Sequence, residues 1–246
     1  MRKQLRFFDE MMPILQKAIE TQREKLLAAA ELIAGTVQAD HLVYVFGAGH
    51  AGILSEELSY RAGGLVPVVP IFPDGLTTMA RPVTIETQLE RISGLGPLIL
   101  SEFRVEPESV LILHSNSGRN AVVVEMGEKA KELGLKVIAL INVSQCTAAP
   151  SLHPHGLKLI DVADIVIDNC GAFGDACIDL GGGNGPAGST STIVAASLFN
   201  AVMVEAAEIL IERGGTPPIF RSANVDGNAG ANQKWLDHYG RRLLYL

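Results

Sequence analysis

The sequence contains few cysteines, few aromatic residues and no cluster of basic side chains. Its three cysteines, Cys146, Cys170 and Cys177, include no Cys-x-x-Cys pair, so neither a disulfide framework nor a zinc knuckle is expected. Aromatic residues make up 5% of the chain and the net charge is −7. The chain therefore has neither the positive surface nor the stacking surface of a general nucleic-acid binder, and we expect no nucleic-acid partner.

Long apolar runs are also missing from the sequence. No run approaches the ~20 residues that cross a bilayer, and the first ten residues lack the apolar segment of a signal peptide. We expect a cytoplasmic protein with no membrane partner. With 246 residues, of which 48% are hydrophobic, the chain can bury a full core, and we interpret residues 1–246 as one domain.

Strand-length apolar runs alternate with segments of helical periodicity. The apolar runs are 42–46, 66–72, 111–113, 136–143 and 163–169. This alternation predicts an α/β doubly wound domain with a parallel sheet, whose ligands bind at the carboxyl ends of the strands.

The two ends of the chain differ from this core, which we place at 40–213. A long amphipathic helix is predicted over 4–35, with Pro13 as a candidate break because proline removes a backbone donor. The C-terminal tail, 214–246, is polar and rich in asparagine, yet it contains Trp235, Leu236 and Tyr239. Those apolar side chains need a surface to pack on, for which a partner subunit is a candidate.

The stretch 115–120, Ser-Asn-Ser-Gly-Arg-Asn, joins an apolar run to an amphipathic segment. Apolar residues then recur at helical spacing: Val122, Met126, Ala130 and Leu133. A helix start offers unpaired N–H groups and partial positive charge, which favours a bound phosphate. The alternative is that Ser117 or Asn120 only caps the helix.

A second loop, Gly47-Ala48-Gly49-His50-Ala51-Gly52, follows the first strand and precedes a helix predicted over 53–65. Glycines allow a backbone to approach a ligand closely. In a dinucleotide fingerprint the third glycine would come one position later, although Asp74, at the end of the next apolar run, keeps a nicotinamide site as an alternative.

Three- and four-residue steps place His50, Glu57 and Arg61 on one stripe of that predicted helix. Glu57 is either a surface ion-pair partner of Arg61 or a carboxylate base directed at the loop. The segment 79–100 has no clear pattern, and its polar candidates are Arg81, Thr84, Glu86 and Gln88. His153 and His155 straddle a proline two residues apart, which is not the spacing of metal ligands on a helix, so no metal is expected.

Three motifs together resemble a SIS (sugar isomerase) domain: Gly-Ala-Gly-His-Ala at 47–51, Glu-Glu-Leu-x-x-Arg at 56–61, and the stretch 115–120. The similarity is greatest to the phosphoheptose isomerase branch and to uncharacterised bacterial SIS proteins of this length, and it covers roughly residues 5 to 212. The resemblance implies a flavodoxin-like, five-stranded parallel sheet and no cofactor. It also implies a homodimer or homotetramer with phosphosugar sites at the subunit interfaces.

Transferred by position, the resemblance also assigns roles to individual residues. The phosphate and substrate would be held by Gly47, Gly49, Ser115, Asn116, Ser117, Gly118 and Asn120, with Arg61 nearby. Glu57 would be the base that moves a proton between adjacent sugar carbons, with His50 as a second catalytic candidate. A carboxylate suits this step because it can take a proton from one carbon and return it to the next.

This chain departs from the phosphoheptose isomerase pattern in two places. The segment before Glu57 is about one helical turn shorter, which removes the usual serine. The histidine near the start of the last helix is missing, and Ser191 and Thr192 lie there instead. We therefore expect a phosphosugar-binding protein that is an aldose–ketose isomerase or a related amino-sugar phosphate enzyme, with a non-catalytic phosphosugar sensor as the alternative.

Overall fold

The computed structural model describes residues 5–228 and 230–243. Its centre is a five-stranded, wholly parallel sheet in the order β2-β1-β3-β4-β5. The strands are β1 (Val43–Gly47), β2 (Val68–Pro70), β3 (Val110–His114), β4 (Lys136–Ile141) and β5 (Ile165–Asp168). Each of them falls on one of the predicted apolar runs, because strands covered on both faces are apolar throughout.

Helices cover both faces of the sheet. They are α1 (Arg6–Gln38), α2 (Ile53–Leu58), α3 (Thr84–Leu89), α4 (Leu95–Glu102), α5 (Ala121–Glu132), α6 (Val143–Ala148), α7 (Leu159–Val162), α8 (Ser191–Glu212) and α9 (Gln233–Tyr239). The α/β doubly wound fold class predicted from the sequence is confirmed.

Successive residues of each strand point to opposite faces and so divide the core into two clusters. Tyr44 and Phe46 of β1 join a cluster that also contains residues of α4, α5 and α7. Val43 and Val45 join the other cluster, with residues of α1, α2 and α8. The sheet is thus the middle layer between two apolar layers.

The strand order reverses direction at β1. Its neighbours are β2 on one side and β3 on the other, and Gly47 at the end of β1 is in register with His114 at the end of β3. The loops that leave these two strands therefore diverge and leave a crevice between them. Ligands of doubly wound sheets characteristically bind at such a switch point.

Two predicted helices differ from those observed. Helix α1 runs through Pro13 without a break and ends at Gln38, and Met11 and Ala18 on either side of the proline are buried. Residue 4, where the helix was predicted to begin, lies outside the described residues. Helix α2 stops at Leu58 rather than 65, because Ser59 is extended and Tyr60 takes a left-handed φ of 43°.

The polar tail packs on its own chain. Tyr239 of α9 and Leu243 are buried in the same cluster as Tyr44, and Trp235 and Leu236 pack against that cluster. The chain's own core therefore supplies the surface for which a partner subunit was a candidate. Residues 229 and 244–246 of the predicted tail lie outside the described part.

The glycine-rich stretch 181–188 belongs to a hairpin. Strand β6 (Ala176–Asp179) pairs antiparallel with β7 (Pro186–Ser189), and the glycines of 181–185 form the turn. Because glycine adopts positive φ at little cost, this composition fits a tight reversal as well as it fits a loop.

Helix α8 is long and apolar enough to cross a membrane by length and composition alone, with a mean hydropathy of 1.8. Polar residues interrupt the helix at Asn200, Glu205 and Glu208, so it contains no continuous apolar run of this length. Half of its most apolar window is buried inside the molecule, and Phe199 and Val202 lie in the cluster shared with α1. Core helices of soluble proteins have the same composition.

Candidate functional site

A cavity of about 280 Å³ opens at the switch point. Its walls are the turn 48–51 after β1, the loop 114–117 after β3, the start of α5, and the glutamates of the α3 segment. Gln145, Asp175 and Ser191 complete the lining. The volume lies near the lower end of the range for small-molecule sites, roughly 300–1,000 Å³.

The loop after β3 provides a group of hydrogen-bond donors. Across 5–228 and 230–243, the backbone N–H groups of Ser117, Asn120 and Ala121 donate to no protein acceptor, and neither does the Ser117 hydroxyl. In the structure, neither Ser117 nor Asn120 caps helix α5 with its side chain. These donors and the positive end of the helix dipole suit an oxyanion.

Two further residues of this loop are held from behind. The Asn116 side chain accepts from Asn169 at 2.8 Å and donates to Gln145 at 3.2 Å. Gly118 donates its N–H to Ser115 Oγ at 3.1 Å and has a left-handed φ of 57°. Gly118 does not line the cavity, and its contribution is the backbone conformation that shapes the loop.

The glycines of the first loop act through close packing. A Cβ at Gly47 would lie 2.5 Å from the backbone carbonyl of Ala51, and one at Gly49 would lie 2.9 Å from Glu86 Oε1. Gly47 therefore allows the turn to close, and Gly49 allows the Glu86 carboxylate to reach the cavity. His50, in the same turn, is exposed and lines the cavity.

Two glutamates four residues apart, Glu86 and Glu90, bring carboxyl groups into the cavity. Burial raises the pKa of Glu86, partly opposed by a hydrogen bond with Thr87 and by the charge of His50. The pKa of Glu90 is also raised, first by burial and then by the charge of Glu86. The sequence pattern made Glu86 one of four polar candidates in this segment and did not indicate Glu90. Their four-residue spacing is the signal that links them.

Asp175 fixes the start of α8 at the edge of the cavity. Its carboxylate accepts from the N–H and the hydroxyl of Ser191, both at 2.7 Å, and from the N–H of Thr190 at 3.0 Å. A side chain near the start of a helix commonly accepts from the first free N–H groups in this way. The oxygens of Asp175 are therefore engaged within the protein.

His114, the last residue of β3, lies at the floor of the cavity and is only 1% exposed. Its Nδ1 lies 2.9 Å from the carbonyl oxygen of Ala51, and no described atom pairs with its Nε2. Burial lowers the pKa of His114 to about 4, so the ring is neutral at pH 7. No local sequence pattern indicates this residue, because its partner is 63 positions away.

Glu57 and Arg61 do not line this cavity. They pair with each other, and Glu57 also accepts from Asn200 of α8 at 2.8 Å. Arg61 lies beyond the end of α2, so the predicted helical stripe is not formed. The predicted site residues that line the cavity are Gly49, His50, Ser115, Asn116, Ser117 and Asn120. The predicted site residues Glu57 and Arg61 lie outside it.

The residues considered for nicotinamide or metal binding lie away from the site. Asp74, which kept the nicotinamide interpretation open, is exposed and does not line the cavity. His153 is buried and pairs with Glu128 at 3.0 Å. Within the described residues, no three His, Cys, Asp or Glu side chains form a group that could hold a metal ion.

A family model described as "SIS domain" matches residues 6–142. A UPF0309 protein of Shouchella clausii is 35% identical over 240 residues, covering 98% of both chains.

Many solved structures share the fold, including these two. A phosphoheptose isomerase of Francisella tularensis has a TM-score of 0.55 at 14% identity, covering 82% of this chain and 95% of its own. The Vibrio vulnificus NanR protein complexed with ManNAc-6P has a TM-score of 0.50 at 16% identity, covering 97% of this chain and 69% of its own. At these identities the likeness extends to the fold alone.

Proposed function

Because this chain belongs to the SIS domain family, we propose that it binds a phosphorylated sugar in the cavity at the switch point and acts as an aldose–ketose isomerase. The observation that carries the binding proposal is the loop 115–120. Its free N–H groups and the Ser117 hydroxyl meet at the start of the twelve-residue helix α5. A phosphate dianion can accept from all of these donors at once.

The acidic wall of the cavity supports the isomerase part of the proposal. Isomerisation requires a base that removes a proton from the hydroxyl-bearing carbon next to the carbonyl, giving an enediolate. A proton then passes from that carbon's hydroxyl group to the former carbonyl oxygen, and the base returns its proton to the former carbonyl carbon. Glu86 is the carboxylate that we propose for this role, because it lines the cavity and packs against Gly49. Its raised pKa makes the ionised carboxylate a stronger base than that of an exposed glutamate.

The family resemblance implies that Glu57 is the base, and this assignment stays a prediction that requires a second protomer. Within one protomer it does not line the cavity, so it could act only on a sugar bound by a neighbouring protomer. That role requires the homodimer or homotetramer with interfacial sites that the resemblance implies. Substitutions at Glu57 and Glu86 separate the two assignments.

The binding proposal predicts that sugar phosphates raise the melting temperature and unphosphorylated sugars do not. A ligand at 100 times its Kd stabilises by about 2.7 kcal/mol, which corresponds to roughly 5–10 °C for a chain of this size. Differential scanning fluorimetry with paired sugars and sugar phosphates measures this directly. Equal shifts from both members of a pair would contradict the phosphate assignment.

A matched pair of serine variants tests whether the rise in melting temperature comes from binding at this loop. Ser117→Ala removes a free hydroxyl from the loop and should reduce the shift given by the sugar phosphates. Ser101→Ala removes an exposed hydroxyl on α4 that bonds only to the carbonyl of Pro97 and should leave that shift unchanged. The same loss in both variants would indicate a binding site elsewhere.

A phosphosugar sensor remains the second candidate function, because the structurally similar NanR protein was solved in complex with ManNAc-6P. A sensor of this kind would bind the ligand with no turnover. Conversion of a stabilising sugar phosphate by the purified chain, followed by NMR, would exclude it.

A further inference from the structure

We propose that His114 is a specificity-determining residue whose Nε2 accepts a hydrogen bond from a hydroxyl group of the bound sugar phosphate. The inference rests on the proposed phosphosugar binding and adds to it the group that recognises the sugar end. The family resemblance gives no role to this buried side chain, and the proposed phosphate site does not use it.

The tautomer of His114 follows from its one hydrogen bond. Nδ1 lies 2.9 Å from the carbonyl oxygen of Ala51, and a carbonyl oxygen can only accept. Nδ1 therefore carries the proton, and Nε2 of the neutral ring has a free lone pair. The low pKa of the buried ring keeps this state down to mildly acidic pH. His114 lines the cavity, and its Nε2 is thus a buried acceptor in the cavity wall.

This acceptor has no donor within the part of the chain that the structure describes. Asp175, whose charge acts on His114, is itself an acceptor, and its oxygens already accept from Thr190 and Ser191. Buried polar atoms in native proteins are nearly always paired, so an unpaired atom in a cavity wall points to a partner that arrives with the ligand.

The chemistry of the cavity indicates which part of the ligand supplies this donor. Phosphate dianion oxygens are acceptors and would be repelled by the Nε2 lone pair, whereas sugar hydroxyls can donate. The free N–H groups of Ser117, Asn120 and Ala121 suit the phosphate. The acceptor groups of Glu86 and His114 suit the hydroxyls. His114 thereby fixes the direction in which the sugar lies.

Two substitutions separate the nitrogen atoms of the ring. In His114→Asn the side-chain amide can still donate to Ala51, but nothing replaces Nε2. In His114→Gln an amide group reaches the position of Nε2. We expect His114→Asn to weaken the binding of glucose 6-phosphate or fructose 6-phosphate about tenfold in calorimetric titration, from the loss of one buried hydrogen bond. Inorganic phosphate should bind both proteins equally, and His114→Gln should recover part of the loss.

Deoxy analogues of the same sugar phosphates give the decisive comparison. One deoxy position should weaken binding to the wild type, and the same position should make no difference in His114→Asn. If the variant shows the same losses as the wild type at every position, the assignment of His114 is wrong. If no sugar phosphate binds the wild type, the proposed function itself fails.

A spectroscopic measurement on the wild type covers the case in which the variants do not fold. Long-range ¹H–¹⁵N NMR should show an unprotonated Nε2 in the free protein. Its ¹⁵N resonance should shift when the sugar phosphate is added and stay in place with inorganic phosphate. A protonated Nε2, or equal shifts from the two ligands, would overturn the proposal.

Discussion

Replacing Glu86 by glutamine is expected to lower kcat by about 10²–10⁴-fold, the range for loss of a general base, while the sugar phosphate still binds. Glutamine keeps the size of the side chain and its contact with Gly49, but its amide cannot take up the proton from the sugar carbon. Turnover of the sugar phosphate identified by fluorimetry, with calorimetric Kd values for both proteins, measures the two effects separately.

Two other glutamine variants complete this test. Glu102→Gln alters an exposed residue at the end of α4 and should leave kcat unchanged. Glu57→Gln tests whether the base comes from a neighbouring protomer. The Glu57→Gln protein should keep its activity if Glu86 of the same protomer is the base. Full activity in Glu86→Gln would remove Glu86 from the mechanism, and loss only in Glu57→Gln would favour the interfacial site.

The pH profile provides an independent check on the same base. Burial places the pKa of Glu86 above its ordinary value of 4.5. The base works in its ionised form, so kcat/KM should fall as the pH drops through this raised pKa. The acidic limb of the profile should therefore lie at a higher pH than that of an exposed glutamate, and it should be absent from any residual activity of Glu86→Gln.

The sequence predicted the features that depend on neighbouring residues. The strands were identifiable because buried parallel strands are continuous apolar runs, and the loop 115–120 because a hydroxyl-rich turn preceded a helical period. Both loops lie at the carboxyl ends of adjacent strands, as the doubly wound fold requires. Local chemistry was sufficient to predict the loop that lines one side of the cavity.

The acceptor end of the cavity depends on contacts that are distant in sequence. Glu86 meets Gly49, and His114 meets Ala51, so neither pairing leaves a local pattern in the chain. The sequence also does not predict the early end of α2. This helix ends where Tyr60 takes a left-handed φ, which is uncommon for a residue other than glycine. The predicted stripe through Glu57 and Arg61 failed for that reason.

The substitution Gly47→Ala is expected to destabilise the protein and weaken its ligand binding together. A Cβ at this position would lie 2.5 Å from the backbone C and O of Ala51 and 2.8 Å from the N of Gly52. Backbone atoms cannot rotate aside as a side chain can, so the turn must move. Overpacking of this kind costs about 1–3 kcal/mol, or roughly 2–4 °C in Tm for each kcal/mol.

The loss of binding follows because the Ala51 carbonyl that would be displaced also holds His114. Gly35→Ala is the matched control, since a Cβ there meets nothing within 4 Å and the residue lies inside helix α1. Alanine in a helix is more favourable than glycine by about 1 kcal/mol, so this variant should melt slightly higher and bind normally. Thermal unfolding and calorimetry on both variants test the pair. If the Gly47→Ala protein had wild-type Tm and affinity, the turn could accommodate a side chain at this position. The close packing of Gly47 against Ala51 would then not be needed to hold the site in place.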